Sequence, residues 1–442
     1  MRPEAFFFEG YAYDEAVATL SLRYRFDSGP EFEETLAFEP PRRELSRRER
    51  EALDRVFRLL LLFCGVSYYK AYIPPRLKCE AFPLDAVTGE FLRQFYEKGL
   101  AEFAYRNRLS LAGHIEFETQ AASAPGPVAL DLRRRTLVPV GGGKDSIVTL
   151  ECLRQEGVPV TLFALGEAEP IAATIAASRL PAVRVRRRLD EGLLALNRAG
   201  ALNGHVPITG ILSAIALAAA ILDGESAVAM SNEHSASAPN LVSDGVAVNH
   251  QWSKSLEFET LFARYLADHI ATGLEYFSFL RPLSEIEIAR RFSRNRQYFA
   301  AFRSCNTAFR QSVAARGAHW CGDCPKCRFV FLALAPFLDK RDLCAIFGRD
   351  LLDEEAQTGG FAALCGLDDH KPFECVGEVS ESRAAIAHLA GEPEWREDRV
   401  VRRLAADYPE LALAARDYEA WFTARHPHRV PRAFLEALDA CG

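Results

Sequence analysis

The stretch with the clearest chemical potential is Val138-Pro139-Val140-Gly141-Gly142-Gly143-Lys144-Asp145-Ser146. A short apolar run enters three glycines and leaves into a segment of helical spacing. That order frees backbone N–H groups and aims the positive end of a helix dipole at the loop, an arrangement suited to phosphate. Lys144 adds a point charge and Ser146 a further donor. A Walker A loop is excluded because Asp145 follows the lysine, and the dinucleotide pattern fails because Ser146 holds its third glycine position. The second cluster is Cys321-Gly322-Asp323-Cys324-Pro325-Lys326-Cys327, with Cys305 16 residues upstream. Four thiolates close a tetrahedral Zn2+ shell and leave no open catalytic position, so the cluster reads as a structural zinc site. An iron–sulfur cluster takes the same ligands, and metal-free buried thiols are the plainer alternative.

The elements around the glycine loop read as an α/β unit. Short strands at 137–140, 160–165, 182–185 and 227–230 alternate with helices at about 145–155, 167–178 and 207–222. Strands apolar on both faces and separated by helices imply a parallel sheet covered on both sides. Residues 1–40 look β-rich, with Asp27-Ser28-Gly29-Pro30 as a turn leading to a strand at 32–38. Ser46 and Glu49 have capping-box spacing and open a helix carrying Leu53, Val56, Phe57, Leu60 and Leu61. A further helix is expected over 89–106. The linker-like composition of 121–127 suggests three regions: an α+β unit at 1–125, the α/β unit with its cysteine knuckle at 126–340, and a helical region at 341–442. Leu404, Leu411, Leu413, Trp421, Phe434 and Leu438 are candidate core positions of the last.

Length and composition bound the rest. The chain has 442 residues, about three times a typical ~150-residue domain, with 49% hydrophobic and 26% charged residues. Net charge is −7, which disfavours general nucleic-acid binding. No apolar run reaches the ~18 residues of a membrane span, and the first 15 residues lack the basic and apolar regions of a signal peptide. A soluble cytoplasmic protein is expected. Arg-rich runs at 133–135 and 186–188 are read as solvated faces and strand ends. Eleven cysteines in a reducing compartment suggest metal rather than disulfides, and Cys64, Cys79, Cys152, Cys344, Cys365, Cys375 and Cys441 read as core residues. Cys375, in a polar segment, also suits a proton carrier.

The loop Gly141 to Ser146 resembles the S-G-G-x-D-S loop of the PP-loop ATP pyrophosphatases, with Gly141 in place of the serine. The resemblance implies that ATP is split between its α and β phosphates and that adenine lies near Leu165. It further implies Mg2+ bridging the phosphates beside Asp145, so that Gly141, Gly142, Gly143, Lys144, Asp145 and Ser146 form the nucleotide site. A longer set of segments is similar to one family. They are Met230-Ser231-Asn232-Glu233, Val248 to Ser255, Phe302 to Asn306, Trp320-Cys321-Gly322 and His370 to Cys375. The family is the ATP-dependent UDP-N-acetylmuramoyl-L-alanyl-L-glutamate epimerases of peptidoglycan precursor synthesis. Membership implies inversion of the terminal glutamate of UDP-MurNAc-L-Ala-L-Glu from L to D, with AMP and pyrophosphate released. It also implies a partner ligase that adds L-Glu to UDP-MurNAc-L-Ala.

Such a reaction removes a very weakly acidic α-proton. Converting the α-carboxylate to an acyl-adenylate acidifies that proton, and a positioned base then adds a factor of ~10²–10⁴. The candidate bases follow the fourth strand, where open α/β sheets bind ligands. Glu233, His250 and Lys254 are the catalytic candidates; lysine is rare here, 8 residues against 45 arginines. Asn232, His234, Arg281 and Arg303 are candidates for substrate contact, the arginines by bidentate pairing with carboxylate or diphosphate. Phosphate contacts and structural salt bridges suit the same residues. Two other readings stay open: another PP-loop AMP-forming amide ligase or base- or RNA-modifying synthase, and a non-enzymatic zinc-containing binding module.

Overall fold

The computed structural model describes residues 3–121, 126–243, 245–309, 319–367 and 371–442. Residues 122–125 of the expected linker and His370 lie outside them. Ten strands form one mixed sheet: β1 (Ala5–Asp14), β2 (Thr19–Phe26), β3 (Glu31–Ala37), β4 (Arg76–Cys79), β5 (Glu116–Phe117), β6 (Arg133–Pro139), β7 (Val160–Leu165), β8 (Ala182–Arg188), β9 (Glu225–Met230) and β10 (Glu275–Ser278). Their order is β10-β9-β6-β7-β8-β3-β2-β1-β4-β5. The first five in that order are mutually parallel; β8–β3, β3–β2 and β2–β1 are antiparallel. The N-terminal strands and the α/β unit therefore share one sheet across the 121–127 segment.

The central stretches of the parallel strands are apolar on both faces because alternate residues enter two different cores. Leu137, Phe163 and Val228 pack into the core built with the N-terminal helices. Val138, Leu162 and Ala229 pack into the core that continues into the C-terminal region. Helix α1 (Arg47–Cys64) starts at Ser46 with the expected capping box. The single helix expected over 89–106 is two, α2 (Ala86–Gly99), which starts three residues earlier, and α3 (Ala101–Arg106), broken at Leu100. The other helices that matter here are α4 (Lys144–Gln155), α5 (Glu169–Ser178), α6 (Ile208–Asp223), α7 (Leu256–Tyr265), α8 (Glu285–Ser293), α9 (Pro325–Leu334), α10 (Val379–Leu389) and α11 (Arg432–Ala440). Helix α6 is buried almost all round, which explains its lack of a polar face. No described helix is long and apolar enough to cross a membrane.

Three expectations need correction. Arg187 is not solvated: its side chain is 10% exposed and pairs with the fully buried Glu34 at 2.6 Å, fastening β8 to β3. Strand alternation leaves Arg186 and Arg188 outside. Leu413 is 62% exposed, whereas Leu404, Leu411 and Leu438 are buried. Cys152 and Cys441 are not independent core residues but form a disulfide between α4 and the chain end.

Candidate active site

The glycine loop leaves the C-terminal end of β6 and opens α4, whose N-cap Gly143 makes no side-chain capping bond. The helix therefore presents uncapped N–H groups outward. The glycines do different work. Gly142 has φ +76°, and a Cβ there would lie 2.7 Å from Pro170 Cβ and 2.8 Å from its carbonyl carbon. Its carbonyl accepts from Arg303 N–H at 2.7 Å. Gly141 faces open space, and a Cβ on Gly143 would make only ordinary contact with Ser304. Ser146 Oγ donates to Gly143 O at 3.2 Å. Leu165, at the end of β7, is partly exposed beside this loop's sheet edge.

Lys144 does not project into the loop mouth. It is buried, and its ammonium is held by Asp145 and Glu285. The Asp145 side chain remains 34% exposed at the helix start. Burial pushes the Glu285 carboxyl up to about 8. Glu381 of α10 accepts the Glu285 and Ile286 N–H groups at 2.6 and 3.2 Å, and burial pushes its carboxyl up to about 7. Asp145 and Glu285 thus flank the Lys144 ammonium beneath the loop, and Glu381 buttresses the start of α8.

Beyond β9 and β10 lies the polar floor. Asn232 is buried, its amide donating to Ser278 Oγ at 3.0 Å. Arg281 is 0% exposed. Its guanidinium meets Glu259 at 3.1 Å and donates to the carbonyls of Glu233 and Lys254. The expectation that Arg281 holds substrate is therefore corrected: every branch is spent on the floor itself. Arg303 pairs with Glu169 at the start of α5. His234 stacks on His426 at 3.6 Å between ring centroids and lies 3.4 Å from Glu378; burial lowers its pKa. It lines a cleft of about 680 Å³ whose apolar wall includes Val246, Trp252 and Leu261. A second cleft of about 550 Å³, with Lys371, Glu378 and Arg383, lies across Pro239.

The remaining candidates converge on a residue from the far end of the chain. Lys254 Nζ donates to Cys375 Sγ at 3.3 Å. His250 Nδ1 bonds Glu102 of α3, and Cys375 acts electrostatically on the same ring. Burial pulls the His250 pKa down, but Cys375 and Glu102 outweigh it and lift it to about 9. Burial likewise works against the Lys254 cation, and Cys375, Glu233 and Asp145 reverse it, raising the pKa. The neighbouring His205 ring, 4.2 Å away, is held near 4 by burial and by His250 and is neutral at pH 7. Glu102, Glu285 and Glu381 carry no local signal in sequence, because each reads as an ordinary helix residue.

The thiols of Cys305, Cys321, Cys324 and Cys327 come together, each within 4.8 Å of the others. Sγ of Cys327 is 3.4 Å from that of Cys324 and 3.7 Å from that of Cys321. A tetrahedron of ~2.3 Å Zn–S bonds has S···S edges of about 3.8 Å, so the spacing fits a metal shell. Gly322, φ +69°, makes the knuckle turn, and Cys324 caps α9.

Residues 1–279 match the family model described as the MurL N-terminal domain, and residues 301–419 match the MurL C-terminal domain. The chain belongs to the MurL family. It is 45% identical over 431 residues to the UDP-N-acetyl-alpha-D-muramoyl-L-alanyl-L-glutamate epimerase of Xanthomonas oryzae pv. oryzae, covering 97% of this chain and 95% of that one. It is 44% identical to the proteins of the same name from Salinispora tropica and from a Micromonospora species, covering 99% of this chain and 96% and 98% of theirs. Both ends of the MurL match feed the site described above, the N-terminal part with Glu102 and the C-terminal part with Cys375.

Proposed function

We propose that this MurL-family chain is an isomerase that inverts the terminal glutamate of UDP-MurNAc-L-Ala-L-Glu, using ATP to activate the α-carboxylate as an acyl-adenylate. Near-full-length likeness to proteins carrying that epimerase name is the observation that carries the reading. The site chemistry supports it. In this reading the PP-loop-like segment from Gly141 to Ser146 takes the β and γ phosphates on the uncapped start of α4. Adenine lies by Leu165, and Asp145 helps hold Mg2+. The two clefts on either side of Pro239 suit an extended nucleotide-sugar peptide by volume, being within the ~300–1,000 Å³ of ordinary ligand sites. Zn2+ on Cys305, Cys321, Cys324 and Cys327 is structural. The substrate is supplied by a ligase that adds L-Glu to UDP-MurNAc-L-Ala.

Activating the α-carboxylate removes its negative charge and makes the neighbouring C–H more acidic; activating the side-chain carboxylate would not. Incubation with ATP, Mg2+ and UDP-MurNAc-L-Ala-L-Glu should give D-glutamate on hydrolysis, with AMP and pyrophosphate in step. ADP and phosphate as products would overturn the loop assignment, and unchanged glutamate chirality would overturn the epimerase reading.

A further inference from the structure

An epimerase needs a group with a free lone pair beside the α-carbon, and the two basic residues that follow β9 do not supply one. Lys254 and His250 both hold their protons at neutral pH. What they hold them against is the sulfur of Cys375. Lys254 Nζ lies 3.3 Å from it, and the His250 ring, whose Nδ1 bonds Glu102, is the second basic group acting on it. Burial alone would push the Cys375 thiol up, but Lys254 and His250 outweigh it and hold it at about 6. Other charges nearby are Lys326 of α9 and Glu374, which pair with each other at 3.7 Å. The two basic side chains thus hold the thiol of this partly exposed residue below the ordinary thiol range. Lys254 also lies within the field of Asp145 at the glycine loop.

We propose that Cys375 Sγ is the base that takes the α-proton of the activated L-glutamyl residue, with Lys254 and His250 as positioning residues that keep it a thiolate and Glu102 orienting His250. This rests on the epimerase reading above. The Cα–H bond breaks and an S–H bond forms, while the electron pair moves onto the carbonyl oxygen of the acyl-adenylate to give an enolate. A solvent-derived proton then reaches Cα on the opposite face as the carbonyl re-forms. Water finally hydrolyses the mixed anhydride to the D-carboxylate and AMP, and the thiol releases its proton to solvent.

The test uses the full-length protein with ATP, Mg2+ and UDP-MurNAc-L-Ala-L-Glu in D2O, reading glutamate chirality, α-deuteration and AMP. In Cys375→Ser, inversion and α-deuteration should fall by about 10²–10⁴, the worth of a positioned base, while substrate-dependent AMP release persists at a measurable rate. A folded Cys375→Ser protein that inverts within tenfold of wild type overturns the proposal. Wild-type protein that makes AMP without inverting defeats the epimerase reading instead. A second measurement needs no folded serine variant: iodoacetamide labelling of Cys375 against pH, followed by peptide mass spectrometry. Labelling of wild type should reach half its maximal rate near pH 6, with inversion lost as Cys375 is labelled, and Lys254→Met should shift that midpoint upward. An ordinary thiol midpoint near 9, or labelled protein that still inverts, overturns the proposal. So does accumulation of a glutamyl thioester on Cys375, which would make the sulfur a nucleophile.

Discussion

Gly141 and Gly142 are neighbours of one type with different physical duties. Gly142 carries φ +76° and has no room for a Cβ beside Pro170, so Gly142→Ala adds left-handed strain to overpacking. It should cost about 2–4 kcal/mol, read as a lower denaturation midpoint. Gly141 looks onto open space; Gly141→Ala should leave the midpoint within about 0.5 kcal/mol and instead weaken ATP binding, measured by calorimetry. Equal losses of stability would refute the distinction. Arg281 makes a similar contrast. As a strut it neutralises buried Glu259 and holds two carbonyls of the floor, so Arg281→Met strands a buried carboxylate and should cost about 3–5 kcal/mol. A stable variant with only a raised KM would return Arg281 to the role of substrate ligand. The arginine's type and position were legible in sequence; its burial was not, because the Glu259 that absorbs its charge sits on a helix 22 residues away. Cys375 was visible as a cysteine in a polar segment, but the basic groups acting on it come from positions 250 and 254, more than 120 residues away in sequence, and Glu102, which holds His250, is farther still.

At the scale of elements, sequence patterning identified the four central strands and their helices because runs such as Val160–Leu165 serve two cores at once and stay apolar on both faces. It missed β10, whose four residues are too few to show a period, and it missed the β3–β8 seam, where Arg187 looks like surface until Glu34 is placed against it. The cysteine knuckle was legible from spacing, but its mechanical position was not. The segment leading to Cys305 bonds the glycine loop through Arg303 N–H and packs Ser304 against Gly143. On the other side Asn306 donates to Glu374 at 2.6 Å, and Lys326 pairs with the same carboxylate, next to Cys375. The four-cysteine cluster thus adjoins both the glycine loop and the Cys375 segment. Purified protein should carry about one zinc per chain by elemental analysis, and Cys324→Ser should lose both the metal and thermal stability, since site formation is coupled to folding. ATP affinity and Cys375 labelling should weaken in parallel. Loss of metal with both properties intact would show that the knuckle supports neither.

For the whole molecule, the disulfide closes the chain on itself: Cys152 in α4 and Cys441 after α11 are 289 residues apart. Cross-linking so long a loop restricts the unfolded chain, and removing the bond by Cys441→Ser should cost about 2–4 kcal/mol, visible as a lower denaturation midpoint that reductant reproduces in wild type. The bond joins the segment after α11 to the helix that begins at the glycine loop, yet Cys152 lies eight residues, about 12 Å of helix, beyond Lys144. Helix α4 has other anchors: Ile147, Val148 and Leu150 are buried, and Glu151 receives the Tyr298 hydroxyl. Arg291 of α8 separately ties down the chain end by donating to Leu438 O at 2.7 Å. The loop should therefore keep its shape when the bond is gone. Cys441→Ser is expected to lose stability while its KM for ATP changes less than about twofold, because a brace that far from the helix start alters ΔG of unfolding without altering the native geometry it stabilises. A collapse of ATP-dependent turnover in a variant that is still folded at the assay temperature would mean that the disulfide positions the phosphate loop, and that the C-terminal helix is part of the catalytic assembly rather than its outer tie.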